Sequence, residues 1–453
     1  MLNLGEPARC KCGCGSVTRR DFLRVGSLAI GGLSIVDLVR LRAQGQVAPT
    51  PKAKSVIQLW MNGGPPHLDT FDPKPQAPDD YTGPLRRAIS TNADGIQINA
   101  TLPLLAKYAD KYSIVRSMTH PFNGHETATY TVQTGTLPSE DNLVYPSIGA
   151  VVAYKREEEG YHGALPPYIT LTAPLGRFHE SGFLGSEYQT FATGGDPHAP
   201  KFLVQGLSTA GNMTQQRMQD RRSLLKAIDD MAGSMEKQKV FEQMDEYQQR
   251  AYSLILGDAK KAFDLTEEKE ETRKRYGNHR FGQSCLAARR LVERGVPFVT
   301  VNMGEWDTHH DNFPMMQRLC PWLDQGFSTL LTDLSERGLL ESTIVIWGGE
   351  FGRTPKVAWE PPWNGGRHHF NAVFSWVVAG GGFRGGAVVG GTDPRGETIN
   401  QRPVYPWDLS ASVYTLMGID PMGKLPHPQG CVAYVTPLAK GKVKTGGILK
   451  EIM

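Results

Sequence analysis

Between residues 284 and 379, helix-periodic and strand-like stretches alternate, and this alternation restricts the chain to few folds. Ser284 to Arg294 reads as a helix stopped by Gly295, and Pro297 to Val301 as the strand that follows. Leu319, Leu323, Phe327, Leu330, Leu331 and Leu334 mark one face of a second helix ending at Gly338, before the strand Thr343 to Trp347. Val373 to Ala379 reads as a further strand. Helices between successive apolar strands predict a mostly parallel sheet covered on both faces, which is an α/β fold. Ser55 to Met61 supplies a buried first strand, stopped by Asn62-Gly-Gly-Pro-Pro66. A second apolar run, Tyr112 to Val115, leads into His120, His125 and a short helical pattern ending at Gly135.

In a sheet of this kind the site lies outside the carboxyl ends of the strands. The acids and imidazoles collect there. His67, Asp69 and Asp72 follow the first strand, Trp306-Asp-Thr-His309 follows the strand at 297–301, and Glu350 follows Thr343 to Trp347 after two glycines. Gly366-Arg-His-His369 lies in a Gly-rich loop, where one of the two histidines is expected to point inward. In extended backbone, Asp307 and His309 would share one side and converge on one ion. Singly, each motif has a bland alternative: a capped turn with a surface histidine, or a Glu350 paired with Arg353. Together they point to a shared electrophile, one or two divalent cations, and a mixed oxygen and imidazole shell favours Zn, Mn or Fe over Mg or Ca. Arg353 is the expected anion holder and Arg367 a second candidate, since a guanidinium grips two oxygens of sulfate or phosphate. Gly380 to Gly386 opens no evident helix and has no following Lys-Ser/Thr, so it reads as a turn between strands rather than a phosphate cradle.

Outside this core, Thr18-Arg-Arg-Asp-Phe-Leu23, followed by the modestly apolar stretch Val25 to Val39, reads as a twin-arginine export signal. Asp37, Arg40 and Arg42 interrupt that stretch before it reaches spanning length, so no stable transmembrane anchor is expected. Residues 1–48 are then leader, and 49–453 form a single domain in the periplasm or outside the cell, carrying a helical insertion at about 208–295. Cys10, Cys12 and Cys14 leave with the leader. The odd set Cys285, Cys320 and Cys431 argues against a disulfide framework. Lys and Arg total 49 against 46 Asp and Glu, a net charge of +3 without a basic stripe, which excludes nucleic acid as the expected partner.

The segment from Glu336 to Gly352, with Gly-Leu-Leu, a strand and then an acid, resembles the alkaline phosphatase and sulfatase superfamily. There Glu350 falls on a metal-binding aspartate, and Phe351 stands where the superfamily has Asn or His. His125 to Gly135 resembles the sulfatase signature, a nucleophile followed by a helix ending in Thr134-Gly135, with His125 in the nucleophile's place. Asn62-Gly-Gly-Pro-Pro-His-Leu-Asp-Thr-Phe-Asp-Pro-Lys-Pro75, Arg275-Tyr-Gly277, Trp306-Asp-Thr-His309 and Gly349-Glu-Phe-Gly-Arg-Thr-Pro355 are similar to an exported family known as a domain of unknown function (1501) and often called sulfatase-like. That family has Asp-His where this chain has His368-His369, so His369 is the residue carried over and His368 the departure.

The resemblance implies an α/β/α sandwich of the alkaline phosphatase type, with Asp69, Asp307, His309, Glu350 and His369 around one or two divalent metals. Asn62 lies nearer than Asp69 to the expected ligand position. The implied activity is hydrolysis of sulfate or phosphate esters on a small molecule or glycan. With histidine at 125 the formylglycine route is closed, so metal-activated water would attack, His125 serving as acid/base or anion contact. Thr127 and Thr129 are weaker nucleophile candidates. The alternative from another class is a non-catalytic protein that holds an anionic polysaccharide.

Overall fold

Eight apolar segments assemble into one sheet: Ser55–Met61 (β1), Tyr112–Met118 (β2), Tyr168–Leu171 (β3), Phe191–Ala192 (β4), Phe298–Met303 (β5), Thr343–Gly348 (β6), Phe374–Ala379 (β7) and Ala387–Val389 (β8). The computed structural model describes residues 51–138, 143–172, 176, 180–200, 202, 204 and 258–453. Strand order across the sheet is β8-β2-β7-β6-β1-β5-β3-β4. At its centre, β1 runs parallel to both β5 and β6, and every residue of β1 and β6 is buried, as a sheet covered on both faces requires. β3 is parallel to β5 and β4, and β8 to β2. Only β7 is reversed, antiparallel to β2 and β6.

Helices His125–Thr134 (α1), Ile148–Glu158 (α2), Glu270–Tyr276 (α3), Arg280–Glu293 (α4), Asn312–Glu336 (α5) and Pro406–Leu416 (α6) cover the two faces. The side chains of β1 alternate between two apolar clusters. Ile57, Leu59 and Met61 join Leu286 and Leu291 of α4 and Leu319, Leu323 and Phe327 of α5. Val56 and Trp60 join Val132 of α1, Val151 and Val152 of α2, and Leu409 and Val413 of α6. The result is a three-layer α/β/α arrangement. Each fully buried leucine of these seams stabilises by roughly 1.5–3 kcal/mol, and truncating Leu323 to Ala would cost roughly 2–5 kcal/mol.

The sequence placed the helix before β5 at Ser284 to Arg294, whereas α4 begins at Arg280, because the His279 side chain caps it by accepting from the Gly282 N–H at 3.1 Å. Gly380 to Gly386 is the connection from β7 to β8; a Cβ on Gly380 would stand 2.4 Å from two backbone oxygens. The twin-arginine leader and most of the insertion at 208–295 lie outside the described residues. The end of that insertion, α4, belongs to the core layer. Pro51–Met453 forms one compact unit, and none of the described helices is long and apolar enough to cross a membrane.

Candidate metal centre

Five chain segments meet at one edge of the sheet. β1, β2, β5 and β6 all end there, and the loops that follow them carry Gly63, His125, Asp307 and Glu350. His369 precedes β7, so a uniformly parallel sheet would have put it at the opposite edge. The reversal of β7 brings it to the same edge as the others. His369 is fixed by a short ribbon in which His369–Phe370 pairs antiparallel with Gly352–Arg353. His125 is the first residue of α1, after Gly124, and no side chain caps that helix end.

Close backbone approach shapes the loops. Gly63, at φ 111°, has the Asp307 N–H segment so near that a Cβ would stand 2.3 Å from it, and a Cβ on Gly349 would stand 2.5 Å from the Met61 oxygen. Asp307 and His309 do turn to one side. They do so through two tight turns, Thr308 N–H to Trp306 O at 2.9 Å and His309 N–H to Asp307 O at 3.0 Å, and not through extended backbone, since β5 has ended at Met303.

The Asp307 carboxylate is the hub, its side chain 46% exposed. Oδ2 is 3.3 Å from His125 Nε2; Oδ1 is 3.3 Å from His369 Nε2 and 3.2 Å from His309 Nε2. Arg353 Nη2 donates to the same Oδ1. The far nitrogens of both flanking imidazoles are committed: His125 Nδ1 is 2.7 Å from Glu350 Oε1, and His369 Nδ1 is 2.9 Å from the Asn123 carbonyl. One ligand atom each from His125, Asp307 and His369 all lie within 4.8 Å of one another. His309 sits beside them, Nε2 to His369 Nε2 at 2.9 Å and Nδ1 to His368 Nδ1 at 3.0 Å.

These contacts fix the protons. A carbonyl only accepts, so His369 Nδ1 carries hydrogen and, in the neutral ring, Nε2 turns a lone pair toward Asp307. In neutral His125, Nδ1–H donates to Glu350 and Nε2 likewise faces Asp307. Acceptors facing one another repel unless a proton or a cation stands between them. Without a cation a proton fills the gap, and hydrogen bonds with Asp307 and Glu350 hold His125 up at about 9. Burial works to raise the Asp307 carboxyl, but its side-chain contacts with the His125 and His369 imidazoles and the Arg353 guanidinium outweigh it and hold the group far below the carboxylate range. Burial pushes His309 down to about 4. Two imidazole nitrogens and a carboxylate oxygen, oriented by partners behind them, fit Zn, Mn or Fe.

Of the residues expected at the site, His125, Asp307, His309 and His369 are brought together, and three differ in place. Glu350 is fully buried, both of its oxygens accept from Gly63 N–H at 2.9 and 3.2 Å, and one also meets His125; it stands behind His125 rather than at the hub. Arg353 is fully buried with every nitrogen in use: Nε on Gly64 O and Nη1 on Arg367 O, each at 3.2 Å, and Nη2 on Gly63 O and Asp307. No fork is left for an anion. Asp69 joins Arg367 in a separate buried pair, at 3.0 and 3.1 Å, and also accepts from Asn312 Nδ2 at 2.8 Å, so neither Asp69 nor Arg367 faces the hub.

Sequence reasoning missed the Gly63 N–H, the Asn123 carbonyl and His120, whose Nε2 is 2.6 Å from the Glu350 carbonyl. The first two act through backbone, which leaves no side-chain signature. For His120, its place between β2 and α1 was the available signal.

No curated protein matches the chain. Among solved structures it is similar to BT1596, a 2-O GAG sulfatase, at 10% identity over 89% of this chain and 76% of that one, with a TM-score of 0.39. A protein in the alkaline phosphatase superfamily from Vibrio parahaemolyticus has 9% identity over 82% and 69%, TM-score 0.36. The C-terminal periplasmic domain of EcEptC from Escherichia coli, solved in complex with Zn, has 9% identity over 88% and 96%, TM-score 0.34. At such scores these likenesses are distant. The family profile of DUF1501, described as a protein of unknown function, matches residues 53–443, and the chain belongs to this family.

Proposed function

We propose that the protein is an exported metal-dependent hydrolase of sulfate or phosphate esters, with the cation held by His125 Nε2, Asp307 and His369 Nε2. The observation that carries this reading is the convergence of two imidazole Nε2 atoms on one carboxylate while their Nδ1 atoms are already committed to Glu350 and the Asn123 carbonyl. Bound there, a divalent cation would supply Lewis acidity to an ester oxygen and acidify water. The chain's own residues prepare for that. Glu350 orients His125, Gly63 N–H holds the Glu350 carboxyl in place, and Arg353 fixes Asp307. The uncapped N-terminus of α1, at His125, adds positive potential for an anionic ester group. The substrate class is a sulfated or phosphorylated small molecule or glycan, met in the periplasm or outside the cell after twin-arginine export.

Histidine at 125 and phenylalanine at 351, where the resemblance places a nucleophile and a metal ligand, favour a second reading, in which the protein holds an anionic polysaccharide and does not cleave it. One experiment separates the two. Purified protein is analysed for bound metal and then assayed with aryl sulfate, phosphate monoester and phosphodiester. Stoichiometric metal with turnover that Asp307→Ala abolishes supports the hydrolase. Metal and sulfated-glycan binding without turnover supports the binding protein, and a protein that binds neither Zn nor Mn sinks the metal centre.

A further inference from the structure

His368 was the histidine without a role at the centre, yet its 3.0 Å contact with His309 nearly matches the 2.9 Å contact between His309 and His369. The protons along this row can be assigned one after another. His369 Nδ1 donates to the Asn123 carbonyl at 2.9 Å, so in the neutral ring its Nε2 accepts. The 2.9 Å contact to that atom must then be donated by His309 Nε2–H, which leaves His309 Nδ1 as an acceptor. The 3.0 Å contact at that nitrogen must in turn be donated by His368 Nδ1–H. With no cation present, the row therefore runs one way, from His368 through His309 to His369.

A cation at the Asp307 hub reverses this order. It takes the His369 Nε2 lone pair, and His309 Nε2, 3.2 Å from Asp307 Oδ1, then points a hydrogen at a positive charge. Resting on the metal-centre reading above, we propose that His368 is a positioning residue for a fourth ligand. It exchanges its own tautomer so that His309 can turn the Nε2 lone pair to the cation while His309 Nδ1–H donates to His368 Nδ1. The protons balance: one leaves His309 Nε2 for solvent, one crosses from His368 Nδ1 to His309 Nδ1, and His368 Nε2 takes one from solvent. His368 is partly exposed, which gives the ring the access to solvent that the exchange needs, and its centroid lies 4.6 Å from that of Trp363 with the two rings near perpendicular. An imidazole here thus does for His309 what Glu350 does for His125: it accepts the Nδ1 hydrogen and so aims Nε2 inward.

The test is a zinc titration by calorimetry of wild-type protein, His368→Ala, His368→Asp, His309→Ala and the double variant His309→Ala/His368→Ala, with ¹⁵N spectra of the wild-type imidazoles before and after loading. His368→Ala should weaken zinc about 10-fold, while His368→Asp, which keeps an acceptor, should stay within about 3-fold of wild type. In the His309→Ala background, removing His368 should change nothing more. The wild-type spectra should show His309 moving from the Nε2–H to the Nδ1–H form on loading. Unchanged zinc affinity in His368→Ala, a loss that persists without His309, or a His309 that keeps its tautomer would each overturn the proposal. Wild-type protein that takes up no zinc would instead bring down the metal centre itself, and this inference with it.

Discussion

Asp69 and Asp307 are both carboxylates in loops at the same edge of the sheet, and each meets a fully buried arginine, yet their surroundings are opposite in kind. Asp69 is buried. Arg367 grips it with two nitrogens, Asn312 donates a third hydrogen bond, and Asn312 is in turn held by Thr308 Oγ1 at 2.7 Å. Arg367 spends its remaining donors on the carbonyls of Tyr81, Thr354 and Pro355, and so ties the loop carrying His368 and His369 to the loop after β1. Asp307 is half exposed and faces the Nε2 atoms of His125 and His369, whose Nδ1 atoms are engaged by Glu350 and the Asn123 carbonyl. A polar group whose every partner is supplied by the chain is scaffold. A carboxylate half open to solvent among imidazoles is the contrasting case, a candidate site.

The sharpest way to break this contrast is to cut the scaffold. Arg367→Ala leaves Asp69 buried without its cation and should cost about 3–5 kcal/mol in urea unfolding. A cost below about 1 kcal/mol would mean that the pair holds nothing together. Acid is the next lever, through His67 and His120, which burial holds down at about 4. Both are nearly inaccessible, and both have folded-state values below the ordinary 6.5, so their contribution is present above pH 6.5 and is lost as pH falls through 4. Each accounts for stability on the order of 3 kcal/mol. His125 works in the other direction: raised to about 9, it stabilises the metal-free protein fully below pH 6.5, and that contribution fades as pH climbs through 9. Chemical denaturation of metal-free protein from pH 4 to 10 should therefore fall away at both ends. In His125→Ala the alkaline decline attributed to this group should disappear.

The layers were legible because β1, β5 and β6 are buried almost throughout and read as mostly apolar runs between helical stretches. The direction of β7 was not. Phe374–Ala379 is buried throughout, and a run buried on both faces carries no mark of polarity, although that reversal is what delivers His369. Of the acids and histidines expected after strands, Asp307, His309 and His369 do meet at one end of the sheet. Which carboxylate faces the hub was not readable. Glu350 and Asp69 look like ligands in sequence, and only three-dimensional partners from some 290 residues away, Gly63 for one and Arg367 for the other, take up their oxygens.

Adding a cation should sharpen the comparison from the other side. Zinc at a hundredfold excess over its dissociation constant should stabilise the wild-type protein by about 2.7 kcal/mol, read as a rise in thermal midpoint that grows with metal concentration. Below about pH 9 the cation must displace the His125 proton, so apparent affinity should climb with pH, by up to about tenfold per unit, and level off near 9. Glu350→Gln keeps an oxygen for Gly63 or His125 but not the charge behind the imidazole. It should bind zinc about 10–100-fold more weakly, with the fold intact. Unchanged affinity would mean that Glu350 serves the loop alone.

The smallest stability effect should come at the hub itself. Asp307→Asn preserves shape and leaves an amide oxygen to accept from Arg353, whose guanidinium keeps the carbonyls of Gly63, Gly64 and Arg367. With half of the side chain in solvent, metal-free stability should move by less than about 1 kcal/mol. His125 loses one of the two hydrogen bonds that raise it, so its titration midpoint should drop from about 9 toward the ordinary value, which ring-proton NMR would follow. Zinc should no longer raise the thermal midpoint. A variant that unfolded as readily as Arg367→Ala would place Asp307 in the scaffold with Asp69, and the contrast between the two carboxylates would fall.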